Sequence, residues 1–198
     1  HLDLVKHTDI MIGDFFNYEN WVTRVGIKTA RAITTVAMFY DLDDPNSFVQ
    51  DIKKVLATDG VWLCQLMTAE PMLASNDLGN VIHEHIEYYS FKSLVVLMER
   101  HGLEIYKVLE NDINGGSYQL YIRHYTTGSI EYAEDITPAR ITQWADNIAQ
   151  NRDDTVAFLR KVVNEGKRVY IMGASTKGNT IMQYYGLDSE LIAGAAEI

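Results

Sequence analysis

Apolar and polar positions along the chain fall into short apolar runs and longer stretches of helical period, separated by acidic or glycine-containing turns. Residues 9–13 (DIMIG), closed by the polar Asp14, read as a buried strand ending in a loop. Residues 31–39 (RAITTVAMF) are β-branched and apolar and predict a second strand, ended by Tyr40 and the acidic turn Asp41-Leu42-Asp43-Asp44-Pro45. Pro45, Asn46 and Ser47 are cap candidates for a following helix, on which Phe48, Ile52, Val55 and Leu56 share one face. Thr58-Asp59-Gly60 is expected to end that helix, and residues 61–67 (VWLCQLM) to form the next strand. Strand, helix, strand at this spacing is the βαβ unit of a parallel sheet covered on both faces.

A long connection, residues 68–90, follows that strand, and in open α/β sheets ligands lie beyond the carboxyl ends of the strands. A helix over 91–99 precedes Gly102 as its C-cap, and residues 103–109 and 117–124 alternate like strands. Between them lies Asn111-Asp112-Ile113-Asn114-Gly115-Gly116, whose Asn-Gly pair favours a hairpin, so the last two strands run antiparallel. Residues 127–135 are polar and turn-like and mark a domain boundary. Residues 137–165 carry Ile141, Trp144, Ile148, Val156, Leu159 and Val163 at helical spacing, with a break expected near Asn151. A strand over 168–172 then enters the loop Gly173–Gly178, a helix follows, and residues 191–195 begin another strand, which restarts βαβ. That loop presents backbone N–H groups and a helix start to an anion, with Lys177 adding charge, although glycine there also serves simply to turn the chain. It has the spacing of neither a Walker loop nor a dinucleotide fingerprint.

The hydrophobic fraction of 47% and charged fraction of 22% describe a globular chain able to bury an ordinary core. A formal net charge of -10 argues against bare nucleic acid or an anionic membrane surface as partner, since either would repel it. Cys64 is the single cysteine and cannot form an internal disulfide, which fits a reducing cytoplasm. No apolar run approaches the ~20 residues of a membrane span. A chain that opens on His1 and stops at Ile198, after a strand-like run, is expected to be a piece of a longer protein.

Val81-Ile82-His83-Glu84-His85-Ile86-Glu87-Tyr88-Tyr89 packs two imidazoles, two carboxylates and two phenols into nine residues. Ordering such groups costs more than ordering apolar ones, so folding alone does not require them. The first reading is proton transfer by a histidine held beside a carboxylate, because histidine ordinarily titrates nearest neutral pH. A second is a divalent metal held by His83, His85 and Glu87, which would need an extended strand to bring both imidazoles to one side. A third is a solvated polar loop that happens to be rich in histidine.

The runs AMFYDLDDPNSFVQDIKKVLATDGVWLCQ, HEHIEYYS and NDINGGSYQLYIRHY, in that order, resemble the S-adenosylmethionine-dependent C-methyltransferase family, whose best-known members methylate nucleotide-linked keto-deoxysugars. The later GASTKGNT stretch resembles the start of that family's C-terminal domain. The resemblance implies an α/β fold: the C-terminal part of a class I methyltransferase (Rossmann-like) sheet with a terminal antiparallel strand, then a helical connection and the start of a second Rossmann-like lobe. It places the methyltransferase part at residues 1–126 and the nucleotide-binding part at 127–198. Zinc is expected only in an N-terminal region that this chain does not carry, as are the glycine-rich and acidic cofactor grips of the first strands.

By position, the resemblance makes His85 the base that takes a proton next to a ketone, with Glu84 and His83 beside it. Asp14 and Phe15 would meet the adenine of S-adenosylmethionine, and Met38, Phe39 and Tyr40 its methionine portion. Tyr88, Asn114 and Gly115 fall on the substrate side, and Ser175 and Lys177 at the nucleotide phosphates. The implied partner is a small molecule, a nucleotide-linked sugar. Ile82 and Asp41 depart from the residues some sugar-modifying relatives carry, which leaves the substrate open.

Overall fold

The structure is a computed structural model and describes residues 10–27, 29–173 and 175–196. It divides into two compact units. The first takes in the described residues up to Leu66 together with Phe91–Asn111 and Tyr118–Tyr132.

In this unit β1 (Ala30–Val36) pairs in parallel with β2 (Leu56–Met67), Ala32 against Val61 and Val36 against Gln65. Between them in sequence lies α2 (Pro45–Val55), packed on the preceding α1 (Tyr18–Val25). The cap of α2 is Asp44, one residue before the expected candidates: its carboxylate accepts the Ser47 N–H at 3.1 Å, which leaves Pro45 in the first turn where its missing donor costs nothing. Val49, Ile52 and Val55 are buried, and Phe48 joins Phe39 and Trp62 in an aromatic cluster with centroids 5.8–6.2 Å apart. Fully buried Trp62 still satisfies its indole N–H, donating to Thr35 Oγ1 at 2.9 Å on the neighbouring strand.

Thr58-Asp59-Gly60 does not separate helix from strand. The strand begins at Leu56, and the three residues form an irregularity where the register with β1 shifts between Ala30 and Ala32. Extending the chain there buries Leu56 and Ala57 and leaves Asp59 outside, paired with Arg31 at 2.8 Å. Gly60 suits the spot, because a Cβ would lie 2.9 Å from the Ala30 carbonyl oxygen.

The sheet order is β1-β2-β4-β3, with β3 spanning Leu103–Asn111 and β4 Ser117–His124. Neighbouring strands joined by so short a connection must be antiparallel, and the Tyr125 N–H to Gly102 carbonyl bond at 3.1 Å closes the pair at its far end. The expected hairpin is present, but its turn is a 3-10 segment, Ile113–Gly115, and the last strand in sequence lies inside the sheet. Before it, α4 (Phe91–Arg100) packs on β3 and stops at Gly102, whose φ is +69° and whose N–H bonds the Glu99 carbonyl.

Two further expectations fail in this unit. Among residues 10–13 there is no strand: Ile10 and Met11 are exposed, and Asp9 lies outside the described residues. A short apolar run becomes a strand only with a neighbour to take its hydrogen bonds, and none of the described strands pairs with it. The second strand ends at Val36, because Ala37 takes φ +52° and turns the chain into a 3-10 segment, Phe39–Asp41.

The second unit comprises residues 67–90, 112–117 and the described residues from Ala133 onward. The long connection holds an unexpected helix, α3 (Ala69–Ala74), which packs on α5 (Pro138–Asn164). Arg140 bonds Glu70 at 2.5 Å, and Asn147 donates to Asn76 at 3.0 Å. No break occurs near Asn151, since one asparagine costs a long helix well under ~1 kcal/mol. Beyond it, β5 (Tyr170–Met172) and β6 (Gly194–Ala196) pair in parallel around α6 (Thr176–Tyr185), the expected βαβ restart. The final strand starts later than expected because the Leu191 and Ile192 N–H groups turn back onto the Asp188 carbonyl. Among the described residues no helix is long and apolar enough to cross a membrane.

Glu104, fully buried in the first unit, anchors the turn after β4. Its carboxylate accepts from Arg123 at 2.7 Å and from the backbone N–H groups of Thr126, Thr127 and Gly128 at 2.7–2.9 Å. Burial is the largest single influence and pushes its pKa up, but these donors together, led by Thr126, override it and hold the carboxyl well below the usual range. A depressed pKa stabilises the fold above the unfolded value, near ~4.3, and that contribution is lost as pH falls through the folded value. Glu104→Gln is therefore expected to cost on the order of 2–3 kcal/mol in urea denaturation at pH 7, with the gap to the parent closing in acid. A pH-independent gap would contradict this.

Candidate functional site

In the second unit the histidine-rich segment is a tight turn. The His85 N–H bonds the Ile82 carbonyl at 3.2 Å, so His83 and Glu84 sit at the corner, exposed, and His85 is half-buried behind them. The metal reading required an extended strand to bring His83 and His85 to one side, and the turn removes that geometry. Among the described residues no group of three or more His, Cys, Asp or Glu is arranged to hold a metal ion.

What orients His85 is the backbone carbonyl of Asn80, 2.9 Å from its Nδ1. A carbonyl can only accept, so Nδ1 carries the hydrogen, and in the neutral ring Nε2 is left with its lone pair. The same oxygen accepts the Tyr88 hydroxyl at 3.1 Å and the Ile82 N–H at 3.2 Å. Partial burial pushes the Tyr88 phenol above its usual range, against a smaller opposing backbone contact at Ile82, so it stays a donor.

Asn80 is itself buried, at 1% exposure. Its side-chain NH2 meets Asp77 Oδ2, and its Oδ1 accepts from Lys177 Nζ at 2.7 Å. Each end of the amide dipole therefore faces the opposite charge, which fixes the orientation of the amide. Asp77 turns the chain by accepting the Gly79 N–H at 2.7 Å. Gly115 lies against the same carboxylate: a Cβ there would stand 2.7 Å from Asp77 Oδ2, and its φ is +84°.

Two expected phosphate contacts are thus engaged within the protein. Lys177 reaches Asn80, and Ser175 Oγ caps α6 by accepting the Gly178 N–H at 3.2 Å. Nothing is described of the Asn114 side chain. Beside the turn, a cavity of about 730 Å3 is lined by Val81, Ile82 and His83 and by the α6 residues Thr176, Asn179, Thr180, Gln183 and Tyr184.

The expected cofactor residues belong to the first unit. Asp14 is exposed, its carboxylate accepting the Phe15 N–H at 2.7 Å, and the Phe15 ring is 89% exposed. Met38 is half-buried, Tyr40 is buried, and Phe39 is sealed in the aromatic core. Burial, then the charge of Asp41, raises the Tyr40 phenol above its usual range. At the carboxyl end of β2, Gln65 is 4% exposed, and neither atom of its amide has a hydrogen-bond partner among the described residues. A buried amide without partners is costly and suits a site where a polar ligand completes it.

Residue type points to the histidine segment but not to Asn80, Asp77 or Gln65. Asp77-Leu78-Gly79 is the signature of a side-chain-stabilised turn and could have been found. The contact between Asn80 and Lys177 spans 97 positions and leaves no local signal.

Comparison with known proteins places methyltransferases along nearly all of the chain. Residues 12–108 match the family model of the methyltransferase domain, and residues 112–197 that of the C-methyltransferase C-terminal domain. The chain is 28% identical over 195 residues to the C-methyltransferase NovU of Streptomyces niveus, covering 88% of this chain and 44% of that protein. It thus spans under half the length of this relative. Among solved structures, the mitomycin 7-O-methyltransferase MmcR gives a TM-score of 0.40 at 18% identity, over 49% of this chain and 30% of that one. LepI in complex with SAM gives 0.41 at 10% identity, over 49% and 27%.

The packing of Gly115 generates a stability prediction. Gly115→Ala meets both the left-handed backbone penalty and the held Asp77 carboxylate, whereas Gly128→Ala meets only the former, its nearest atom being 3.5 Å away. Thermal denaturation should show the first variant less stable than the second by about 1 kcal/mol or more. Equal losses would mean that Asp77 does not hold the loop.

Proposed function

We propose that this chain is part of an S-adenosylmethionine-dependent C-methyltransferase that methylates a carbon alpha to a ketone, in a nucleotide-linked deoxysugar, with His85 as the base. Both matched regions are methyltransferase regions, and the relative that aligns along most of the chain is a C-methyltransferase. The observation that carries the reading is the Nδ1 contact of His85 with the Asn80 carbonyl. It leaves Nε2 as a proton acceptor on a half-buried ring.

S-adenosylmethionine, when bound, supplies a methyl group on a positively charged sulfur. The residues that would hold it are those at the carboxyl ends of β1 and β2: Met38 and Tyr40 with Gln65, whose amide lacks a protein partner, and Asp14 and Phe15 at the adenine. Phe39 supports them from the core. His85 Nε2 takes the proton from the carbon next to the ketone, which leaves that carbon nucleophilic. The positive charge that forms is shared by both ring nitrogens, and the Asn80 carbonyl oxygen stabilises it through the Nδ1–H bond, the same oxygen also accepting from the Tyr88 hydroxyl. Glu84 and His83, at the exposed corner, are placed to meet the sugar. Asn114 and Gly115 border the substrate side. The cavity beside α6 takes the nucleotide, and Ser175, whose oxygen accepts the Gly178 N–H, offers its hydroxyl hydrogen to the phosphates. In this reading the boundary between the methyltransferase and nucleotide-holding parts falls near residue 127.

The test uses the full-length protein and the solvent-deuterium exchange of the ketone substrate. His85→Asn should lower exchange at the alpha carbon by about 10²–10⁴-fold, while calorimetric binding of S-adenosylhomocysteine is retained. Undiminished exchange would remove His85 from the role of base.

A further inference from the structure

We infer that Asn80 is a positioning residue for His85, and that Lys177 and Asp77 act through it to fix which imidazole nitrogen carries the hydrogen. The inference rests on the reading of His85 as the base, and it gives Lys177 a role other than phosphate binding. Three observations converge. The His85 Nδ1–H ends on the Asn80 carbonyl, so rotation of that peptide breaks this bond. The Asn80 side chain is buried and spans two opposite charges, Lys177 at 2.7 Å and Asp77, so the residue cannot rotate without stranding an amide away from water. Lys177 is steered to that contact: its stem lies over Gly79, where a Cβ would stand 3.5 Å from the Lys177 Cβ.

The chemistry explains why such a brace is useful. A neutral imidazole with no fixed partner populates both tautomers, and only the one bare at Nε2 can accept a proton there. A backbone carbonyl chooses that tautomer without introducing a second titrating group. Its own position must then be secured, and a backbone atom can be secured only through its neighbours in sequence or its own side chain. Asp77 does the first, by holding the Gly79 N–H at 2.7 Å. The amide of Asn80 does the second. The Gly115 backbone packs closely against the same Asp77 carboxylate, so the linked pair Asp77 and Asn80 is met by two further stretches of the second unit, Gly115 at the carboxylate and Lys177 at the amide.

The test is long-range proton–nitrogen NMR on the full-length protein labelled in histidine, with the His85 signals assigned by their loss in His85→Asn. The expected pattern of the neutral ring in the parent is the Nδ1–H tautomer. Lys177→Met keeps the stem and removes the donor, and Asn80→Ala removes the whole brace. Either variant should lose that single pattern and show a mixture of tautomers, and Lys177→Met should do so even if Asn80→Ala fails to fold. Binding of inorganic pyrophosphate should be unchanged in Lys177→Met. Retention of the pure Nδ1–H tautomer in Lys177→Met would overturn the inference, and doubly so if pyrophosphate binding weakened, since Lys177 would then be an anion ligand. The readout involves no methyl transfer. A His85 that loses its tautomer on these substitutions but proves dispensable for deuterium exchange would therefore sink only the base assignment.

Discussion

One backbone oxygen carries much of what the second unit offers to chemistry. The Asn80 carbonyl takes hydrogens from the His85 ring, the Tyr88 hydroxyl and the Ile82 N–H. The turn that follows it brings an imidazole back onto the residue five positions earlier. A general base needs its lone pair on the correct nitrogen and its ring in a fixed direction, and one accepting atom imposes both conditions. Residue density alone, two histidines and two glutamates in nine positions, would not have done so. His83 and Glu84 form the exposed corner and the His85 ring is half-buried behind them, the division that the proposed roles of substrate contact and proton acceptor call for.

The brace also illustrates where polar burial is tolerated. Asn80 at 1% exposure is stable because a cation and an anion satisfy its two ends, whereas Gln65 at 4% has neither end satisfied among the described residues. Glu104 is the extreme case, a fully buried carboxylate surrounded by donors from Arg123 and the turn after β4. Two of these three buried groups are complete without a ligand. Gln65 is not, and it stands at the strand end where open α/β sheets bind theirs.

Legibility from the sequence followed the range of the interactions involved. The α2 face through Ile52 and Val55, the Gly102 stop after α4, the β3–β4 hairpin and the βαβ restart all arise from neighbours in sequence, and all could be read, whereas buried Val49 is not on the expected face and Leu56, expected there, opens the next strand. Thr58-Asp59-Gly60 looked like a terminator because those residues favour turns. A neighbouring strand instead took them into a register shift, which no local pattern reveals. Residues 10–13 had the composition of a strand and no partner among the described ones. At the site, residue types exposed the histidine segment, while Asn80 stayed hidden because Lys177 meets it from 97 positions away. The lysine itself stands out by its charge and its loop. Its partner could not be foreseen from either.

The most direct measurement is a crystal structure of the full-length protein with S-adenosylhomocysteine and its ketone substrate bound. The account predicts His85 Nε2 within about 3.2 Å of the carbon to be methylated, or joined to it through one water, with Nδ1 still on the Asn80 carbonyl. A ring whose Nε2 points away from the substrate, or whose Nδ1 has left that carbonyl, would contradict it.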